Sequence, residues 1–335
     1  MREPEVAPLL PLALALLLVA PVVPPARAMA VAAAFLLEFL SDGRLAPLTA
    51  LSAAPRREPL RDDVDRYPST ALTGPAPLVL VHGFAPAGKD DARVQTAAAL
   101  LARAGFDVGV PTIPGLTRGR LRPDDVEPVV AAVMALTRTA SKPVTVVGVS
   151  VGAGPALLAA ADPRIRDRVA VAVSLGGYAS ALELLRFFLT GEYAFGPARG
   201  RVVHDPELVR TFISANADLL DAPSRRRLEA RDPALAHALL AAPPARVRAL
   251  LDALSPERVA GDIRARLVVI HGRGDPAIPY TESLRLAAAR TGRTTLALVG
   301  SIEHVEGRPA SLVADGLRDF VTLWMLLYDV LVVRN

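Results

Sequence analysis

Short apolar segments alternate along this chain with longer segments in which apolar residues recur at helical spacing. The apolar segments predict strands at 77–83, 106–115 (strand then loop), 143–149, 168–177, 265–272 and 294–300. The intervening segments predict helices at 91–105, 122–140, 151–161, 280–292 and from Pro309 onward. Because half-exposed strands would alternate in polarity, these apolar strands indicate an α/β fold, with a mostly parallel sheet flanked by helices on both faces.

Two regions depart from this alternation. Residues 178–262 carry only helical patterns and predict an all-helical insertion between two strands of the sheet. Residues 41–76 are rich in proline, arginine and aspartate, and predict a linker with one edge strand. The expected organisation is an N-terminal hydrophobic segment at 1–40, the linker, a core formed by 77–177 and 263–335, and the insertion.

The N-terminal segment carries the strongest topological signal in the chain. Residues 6–26 contain no charge and are about long enough to cross a bilayer as a helix, although prolines shorten the regular part. Ala26-Arg27-Ala28 resembles a signal-peptide cleavage site, and a second apolar run follows at 28–40. We therefore expect a signal peptide or a membrane anchor, and a membrane-anchored or exported protein. The alternative is an apolar helix packed on the domain.

The composition narrows the classes of function. Hydrophobic residues make up 52% of the chain, which exceeds an average soluble domain and agrees with a segment that serves a membrane. The net charge is +4, but no basic stripe with interleaved aromatics is present, which disfavours nucleic-acid binding. The absence of cysteine excludes disulfides, cysteine-based zinc sites and a cysteine nucleophile. No metal-ligand spacing or phosphate-binding loop is found, so no metal or cofactor is expected.

Polar residues follow several predicted strands, at the edge where open parallel sheets bind their ligands. In chain order they are His82-Gly83-Phe84, Ser150, Asp275 and His304. A hydroxyl, a carboxylate and an imidazole are therefore expected to converge on one edge of the sheet.

Ser150 lies in Gly148-Val149-Ser150-Val151-Gly152, which by itself also fits an unreactive serine at a tight strand-to-helix turn. A serine hydroxyl needs an adjacent base to act as a nucleophile. His304 would be that base, and Asp275 would hold its tautomer and stabilise the imidazolium. The backbone N–H of Val151, at the start of a helix, would donate to the oxyanion. Gly148 and Gly152 leave room where strand and helix crowd together.

Other residues compete for these roles. Asp262 and Glu303 are alternative acids, but Asp262 precedes its strand and Glu303 adjoins His304 in sequence. His82 is expected to brace its loop through hydrogen bonds. His271 is expected to be packed or bonded to the backbone, and His237 to face the solvent. His204 is expected at the surface beside a helix start, with a pocket-lining position as the alternative.

These motifs resemble the α/β-hydrolase superfamily of serine esterases and lipases. The resemblance covers roughly residues 60–325 and rests on "HGF" (82–84), "GVSVG" (148–152), "GRGDPAIP" (272–279) and "EHVEG" (303–307). It implies that the insertion is a cap domain and that the backbone N–H of Phe84 is a second oxyanion donor. The chain departs from the family pattern at its front, where the early antiparallel strands are shortened or absent, and in its N-terminal hydrophobic run.

The expected function is cleavage of a small-molecule carboxylic ester through an acyl-enzyme on Ser150. A thioesterase or an acyltransferase would use the same triad. A catalytically silent hydrolase fold that serves as a membrane-bound binding module is an alternative of a different class. The motifs leave ester, thioester and amide substrates open, and they do not determine the oligomeric state. The low aromatic content (4%) favours an aliphatic pocket.

Overall fold

The computed structural model describes residues 24–71, 75–138, 142–290, 292–300, 302–303, 306–307 and 314–333. The strands in these ranges are β1 (Glu58–Arg61), β2 (Val64–Tyr67), β3 (Ala76–Val81), β4 (Phe106–Pro111), β5 (Val144–Val149), β6 (Val169–Leu175), β7 (Glu192–Phe195), β8 (Ala198–Arg201), β9 (Arg266–Gly272), β10 (Thr294–Val299), β11 (Ile302–Glu303) and β12 (Glu306–Gly307). The α-helices are α1 (Pro24–Leu40), α2 (Pro47–Leu51), α3 (Ala92–Arg103), α4 (Val126–Leu136), α5 (Ala153–Ala161), α6 (Ala181–Thr190), α7 (Pro206–Ala215), α8 (Ala222–Glu229), α9 (Pro233–Ala241), α10 (Ala245–Ala253), α11 (Thr281–Ala289) and α12 (Ala314–Val333).

Eight strands form one sheet in the order β1-β2-β4-β3-β5-β6-β9-β10. The β1–β2 and β2–β4 pairs are antiparallel, and the remaining pairs are parallel. The predicted mostly parallel sheet flanked by helices is therefore confirmed. The sequence predicted one edge strand before residue 76, whereas the structure has two, each of four residues. Such short strands show too few positions for a pattern to be recognised.

Hydrophobic cores lie on both faces of the sheet, because successive residues of a buried strand point to opposite sides. In β3, Val79 and Val81 belong to the core that includes α4 and α5. Leu78 and Leu80 belong to the core that includes α1, α3 and α12. Helices thus cover both faces, which explains why the central strands are apolar at every position.

The helix α1 is part of the second core. Ala28, Ala32 and Ala34 are at most 2% exposed, and they share this core with residues of α12. The indole Nε1 of Trp324 in α12 donates a hydrogen bond of 2.7 Å to the carbonyl oxygen of Met29. The apolar run at 28–40 therefore packs on the domain, and the small alanine side chains allow the close approach.

The helices of the structure contradict the predicted localisation, which was membrane-anchored or exported. None of the helices in the described ranges combines the length and apolarity that a membrane span requires. The predicted cleavage site at 26–28 lies inside α1, where Ala28 is buried against the core. Residues 1–23, which include most of the uncharged segment, lie outside the described residues.

The insertion at 178–262 contains five α-helices, α6 to α10, and also a β-hairpin formed by β7 and β8. The sequence predicted helices alone. The hairpin strands have four residues each and follow left-handed turns at Gly191 and Gly196, so neither shows a recognisable period-two pattern. Tyr193 in β7 packs against Tyr280, with ring centroids 6.1 Å apart, and so ties the hairpin to the core.

The two ends of the insertion are joined by buried hydrogen bonds. The Tyr178 hydroxyl donates to the carbonyl oxygen of Leu254 at 2.9 Å. The backbone N–H of Ala181 donates to the Ser255 hydroxyl at 2.9 Å. The insertion therefore enters and leaves the core at one place, above the carboxyl edge of the sheet.

A buried carboxylate fixes this junction to α11. Glu282, the second residue of α11, accepts hydrogen bonds from the backbone N–H groups of Ala179 at 3.0 Å and Ser180 at 2.8 Å. Burial raises the pKa of the Glu282 carboxyl, although these hydrogen bonds and Arg285 act in the opposite direction.

Candidate active site

Ser150 follows β5 directly and begins the short turn Ser150–Gly152 that leads into α5. Its φ is +54°, in the left-handed region that non-glycine residues rarely adopt. Such a backbone costs about 1–3 kcal/mol and persists only where the surroundings enforce it. The residue is 8% exposed. The Gly-x-Ser-x-Gly pattern thus coincides with a strained strand-to-helix turn at the carboxyl end of a central strand.

Two glycines permit this turn. A Cβ on Gly148 would lie 2.5 Å from the Cα of Ala153, and a Cβ on Gly152 would overlap the carbonyl oxygen of His82. The strand, the helix and the loop after β3 therefore approach each other so closely that no larger residue fits at either position.

His82 is held at both ring nitrogens. Its Nε2 accepts a hydrogen bond of 3.1 Å from the backbone N–H of Ile113, so Nδ1 carries the proton and donates to the carbonyl oxygen of Gly83 at 2.7 Å. Burial lowers the pKa of His82. The neutral ring therefore braces the loops that follow β3 and β4.

Asp275 lies in the loop after β9, with a side chain only 1% exposed. Its Oδ1 accepts hydrogen bonds from the backbone N–H groups of Ala277 at 2.8 Å and Ile278 at 3.0 Å. Its Oδ2 lies 3.5 Å from Nε2 of His271. The carboxylate is thus oriented by its own loop and by a neighbouring imidazole.

The contact with His271 is one that sequence reasoning missed. His271 is fully buried; its Nε2 donates to the carbonyl oxygen of Ile278 at 2.9 Å, and its Nδ1 lies 2.6 Å from the Ser283 hydroxyl. The spacing of four residues between His271 and Asp275 gave no signal, because the chain turns sharply after β9. His271 therefore supports the loop that carries Asp275.

The strands β9 and β10 end level with each other, since Val299 pairs with Gly272. The chain after β10 consequently starts at the same edge as the Asp275 loop. Glu303 pairs with Glu306 in the short β11–β12 hairpin. His304, the predicted base, lies between these two positions and outside the described residues.

The predicted oxyanion donors lie on either side of Ser150. Val151 is the second residue of the turn that begins at Ser150. Phe84 follows Gly83, where an added Cβ would lie 3.1 Å from the Cβ of Ser150. The loop after β3 therefore runs directly past the serine. Phe84 is 37% exposed and is one of two core residues that line a cavity beside the insertion.

Two other histidines occupy positions unrelated to this edge. His204, expected at the surface, is 8% exposed and stacks on Phe188, and its Nε2 bonds the carbonyl oxygen of Phe187 at 2.8 Å. His237 is exposed on α9.

Within the described ranges, no group of three or more histidine, aspartate or glutamate side chains could hold a metal ion.

A family model described as "alpha/beta hydrolase family" matches residues 78–314. Among solved structures, a puromycin-hydrolyzing peptidase from Mycobacterium tuberculosis superposes with a TM-score of 0.54 at 21% identity, and the match covers 87% of this chain. This chain spans only 40% of the length of that peptidase.

Two further solved structures are similar over most of their own length. Est1E from Butyrivibrio proteoclasticus has a TM-score of 0.48 at 11% identity, covering 84% of this chain and 99% of its own. A meta-cleavage product hydrolase from Pseudomonas fluorescens has a TM-score of 0.44 at 17% identity, covering 80% and 94%. At these identities the likeness is one of fold. A search among curated proteins returns no match.

Proposed function

The chain belongs to the alpha/beta hydrolase family, and we propose that it is a serine hydrolase that cleaves a carboxylic ester through an acyl-enzyme on Ser150. The observation that most supports this proposal is the strained turn at Ser150, with φ of +54° at the end of β5. A nucleophile elbow has this geometry, because the turn presents the serine above the sheet edge.

In the first half-reaction, Oγ of Ser150 attacks the carbonyl carbon of the ester, and its proton passes to the imidazole of His304. The oxygen–carbon bond to Ser150 forms, and the bond from that carbon to the alcohol oxygen breaks. The imidazolium then returns the proton to the departing alkoxide. Asp275 stabilises the imidazolium and fixes its tautomer. This role is supported by the two N–H donors that orient the Asp275 carboxylate and by the common edge of β9 and β10.

The negative charge that develops on the carbonyl oxygen needs donors that are already in place. The backbone N–H groups of Val151 and Phe84 are assigned this role, because Val151 begins a helical turn and the loop that carries Phe84 passes beside Ser150. In the second half-reaction, His304 takes a proton from water and the resulting hydroxide attacks the acyl carbon. The bond from that carbon to Oγ of Ser150 then breaks, the imidazolium returns its proton to Oγ, and the carboxylic acid leaves.

A fluorophosphonate probe tests this assignment. We expect the purified protein to be labelled and Ser150→Ala to lose the label. Ser174→Ala is the matched control, because Ser174 is a fully buried serine that pairs in register with Gly148 on the neighbouring strand. Labelling should survive in that variant. The absence of labelling in a folded wild-type protein would contradict the proposal and favour a silent binding module.

His304→Ala tests the base. We expect kcat/KM for a p-nitrophenyl ester to fall by about 10³-fold or more, since triad members act as a unit. Activity that is unchanged in this variant would exclude His304 as the base. Comparing an ester, a thioester and an anilide of the same acyl group distinguishes the bond cleaved, and faster turnover of the thioester or the anilide would overturn the ester assignment.

A further inference from the structure

A partly open cavity of about 130 Å3 lies between the insertion and the core. Most of its wall comes from α6, α7 and α10, through residues such as Leu184, Leu185, Phe188, Phe212 and Leu250. The core contributes Phe84 and Leu121. The cavity therefore lies between the insertion and the loop that passes Ser150.

The wall of this cavity is almost entirely apolar. Asn216 is the single polar residue that lines it, and its side-chain Nδ2 donates to the carbonyl oxygen of Phe212 at 2.9 Å. The insertion contains many arginines, but none of them lines the cavity. A charged or strongly polar group would lose its hydration here without gaining a partner, so the cavity selects an uncharged hydrocarbon group.

Two adjacent residues of the loop after β3 relate the cavity to the candidate nucleophile. Gly83 lies against Ser150, and Phe84 lines the cavity. Phe84 is thus both the residue whose backbone N–H is assigned as an oxyanion donor and one of the residues that line the cavity. A substrate whose carbonyl oxygen lies at the Phe84 N–H can therefore place a neighbouring hydrocarbon group in this cavity.

The size of the cavity limits that group. An apolar cavity of about 150 Å3 in another protein stays dry and binds benzene, a molecule of six carbons. The volume of about 130 Å3 found in this chain is slightly smaller. The stacked rings of Phe188 and Phe212, with centroids 4.8 Å apart, form a well-packed part of the wall. A group of about six carbons is therefore the expected occupant.

We propose that this cavity binds a hydrocarbon group of about six carbons on the ester substrate and so sets the chain-length preference of the enzyme. This inference rests on the proposed function. The group belongs either to the acyl part or to the alcohol part of the ester, and the two have the same chemistry at the cavity.

Two substrate series test the inference and identify the part that is bound. One series varies the acyl chain of p-nitrophenyl esters from two to twelve carbons. The other varies the alcohol of acetate esters and follows acid release. We expect kcat/KM to rise by about fourfold per methylene up to about six carbons in one series and then to fall. Flat profiles in both series would overturn the inference.

If the cavity binds the hydrocarbon group, a substitution in its wall should change the chain length at which kcat/KM is highest. Leu185 is half-buried and lines the cavity, so Leu185→Trp should fill it. We expect the ratio of kcat/KM for the six-carbon ester to that for the two-carbon ester to fall at least about tenfold. Leu185→Ala should enlarge the cavity and shift the optimum toward longer chains.

Val203→Trp is the matched control, because Val203 belongs to the insertion, is 89% exposed and does not line the cavity. Its chain-length profile should equal that of the wild type. If Ser150 is labelled and esters are cleaved, but Leu185→Trp and Leu185→Ala leave the profile unchanged, the inference fails while the proposed function stands. If Ser150 is not labelled by the fluorophosphonate, the proposed function fails first.

Discussion

At the scale of single residues, the turn at Ser150 depends on neighbours that lack side chains. The positive φ of Ser150 is held because β5, α5 and the loop after β3 all crowd this point. Gly152 allows the carbonyl group of His82 to approach, and His82 in turn is fixed by bonds at both nitrogens. The conformation of Ser150 therefore depends on the close packing of Gly152 against His82.

Gly152→Ala should disrupt the packing of residue 152 against His82. The added methyl group would overlap backbone atoms of His82, which cannot move without disturbing β3. We expect the free energy of unfolding in urea to fall by about 2–3 kcal/mol and fluorophosphonate labelling to fall with it. The control is Gly261→Ala, where an added Cβ meets nothing within 4 Å and φ is not positive. Equal stability of the two variants would show that the close approach is not rigid.

At the scale of elements, most helices and strands of the core begin and end near the predicted residues. α3 illustrates the reason: Asp91 caps its first turn by accepting from the backbone N–H of Arg93 at 2.9 Å, and Gly105 follows its end with φ of +102°. These signals are local and can be read from sequence. The β7–β8 hairpin is local, but its four-residue strands are too short to show a pattern, whereas the Glu282 junction depends on partners about 100 residues away.

The contribution of Glu282 to the free energy of unfolding should depend on pH. Because burial raises the pKa of this carboxyl, the folded chain binds its proton more tightly than the unfolded chain does. The stability that this group contributes is therefore full at low pH and is lost as the pH rises above the ordinary carboxyl pKa toward the raised one. A glutamine at this position can still accept from the N–H groups of Ala179 and Ser180, but it does not titrate.

The expected outcome is that Glu282→Gln gains stability relative to the wild type as the pH rises from 4 to 8. Urea unfolding at several pH values measures this difference. Glu58→Gln, at an exposed position of β1, serves as the control and should parallel the wild type. A constant difference between Glu282→Gln and the wild type would mean that Glu282 does not titrate in this interval.

At the scale of the whole molecule, the two ends of the described chain meet on one face of the sheet. α1 and α12 contact each other and share a core with β3 and β4. Trp324, the single tryptophan of the chain, donates to the backbone of α1 and so reports on this contact. The apolar character of α1 is accounted for by its burial in the fold.

Ala32→Asp should detach α1. Ala32 is fully buried, so the new carboxylate would lose its hydration without a partner. We expect the free energy of unfolding to fall by about 3 kcal/mol or more, and the emission of Trp324 to shift to longer wavelength as its environment becomes wetter. Ala54→Asp, at an exposed position after α2, should change neither quantity. An unshifted Trp324 emission in Ala32→Asp would show that α1 contributes little to the core.

The sequence by itself determined the alternation of strands and helices, the placement of Ser150 and Asp275 after their strands, and the steric need for glycine around the serine. These features depend on residues that are close in sequence, so they can be read from its periodicity and turn residues. Only the tertiary structure decided that α1 packs on the sheet, that His271 supports the Asp275 loop, and that an apolar cavity lined by Phe84 lies between the insertion and the core. Each of these contacts joins residues through packing or a sharp turn, which local patterns do not reveal. For α1 in particular, an apolar pattern alone does not distinguish a helix that packs on protein from one that enters a membrane.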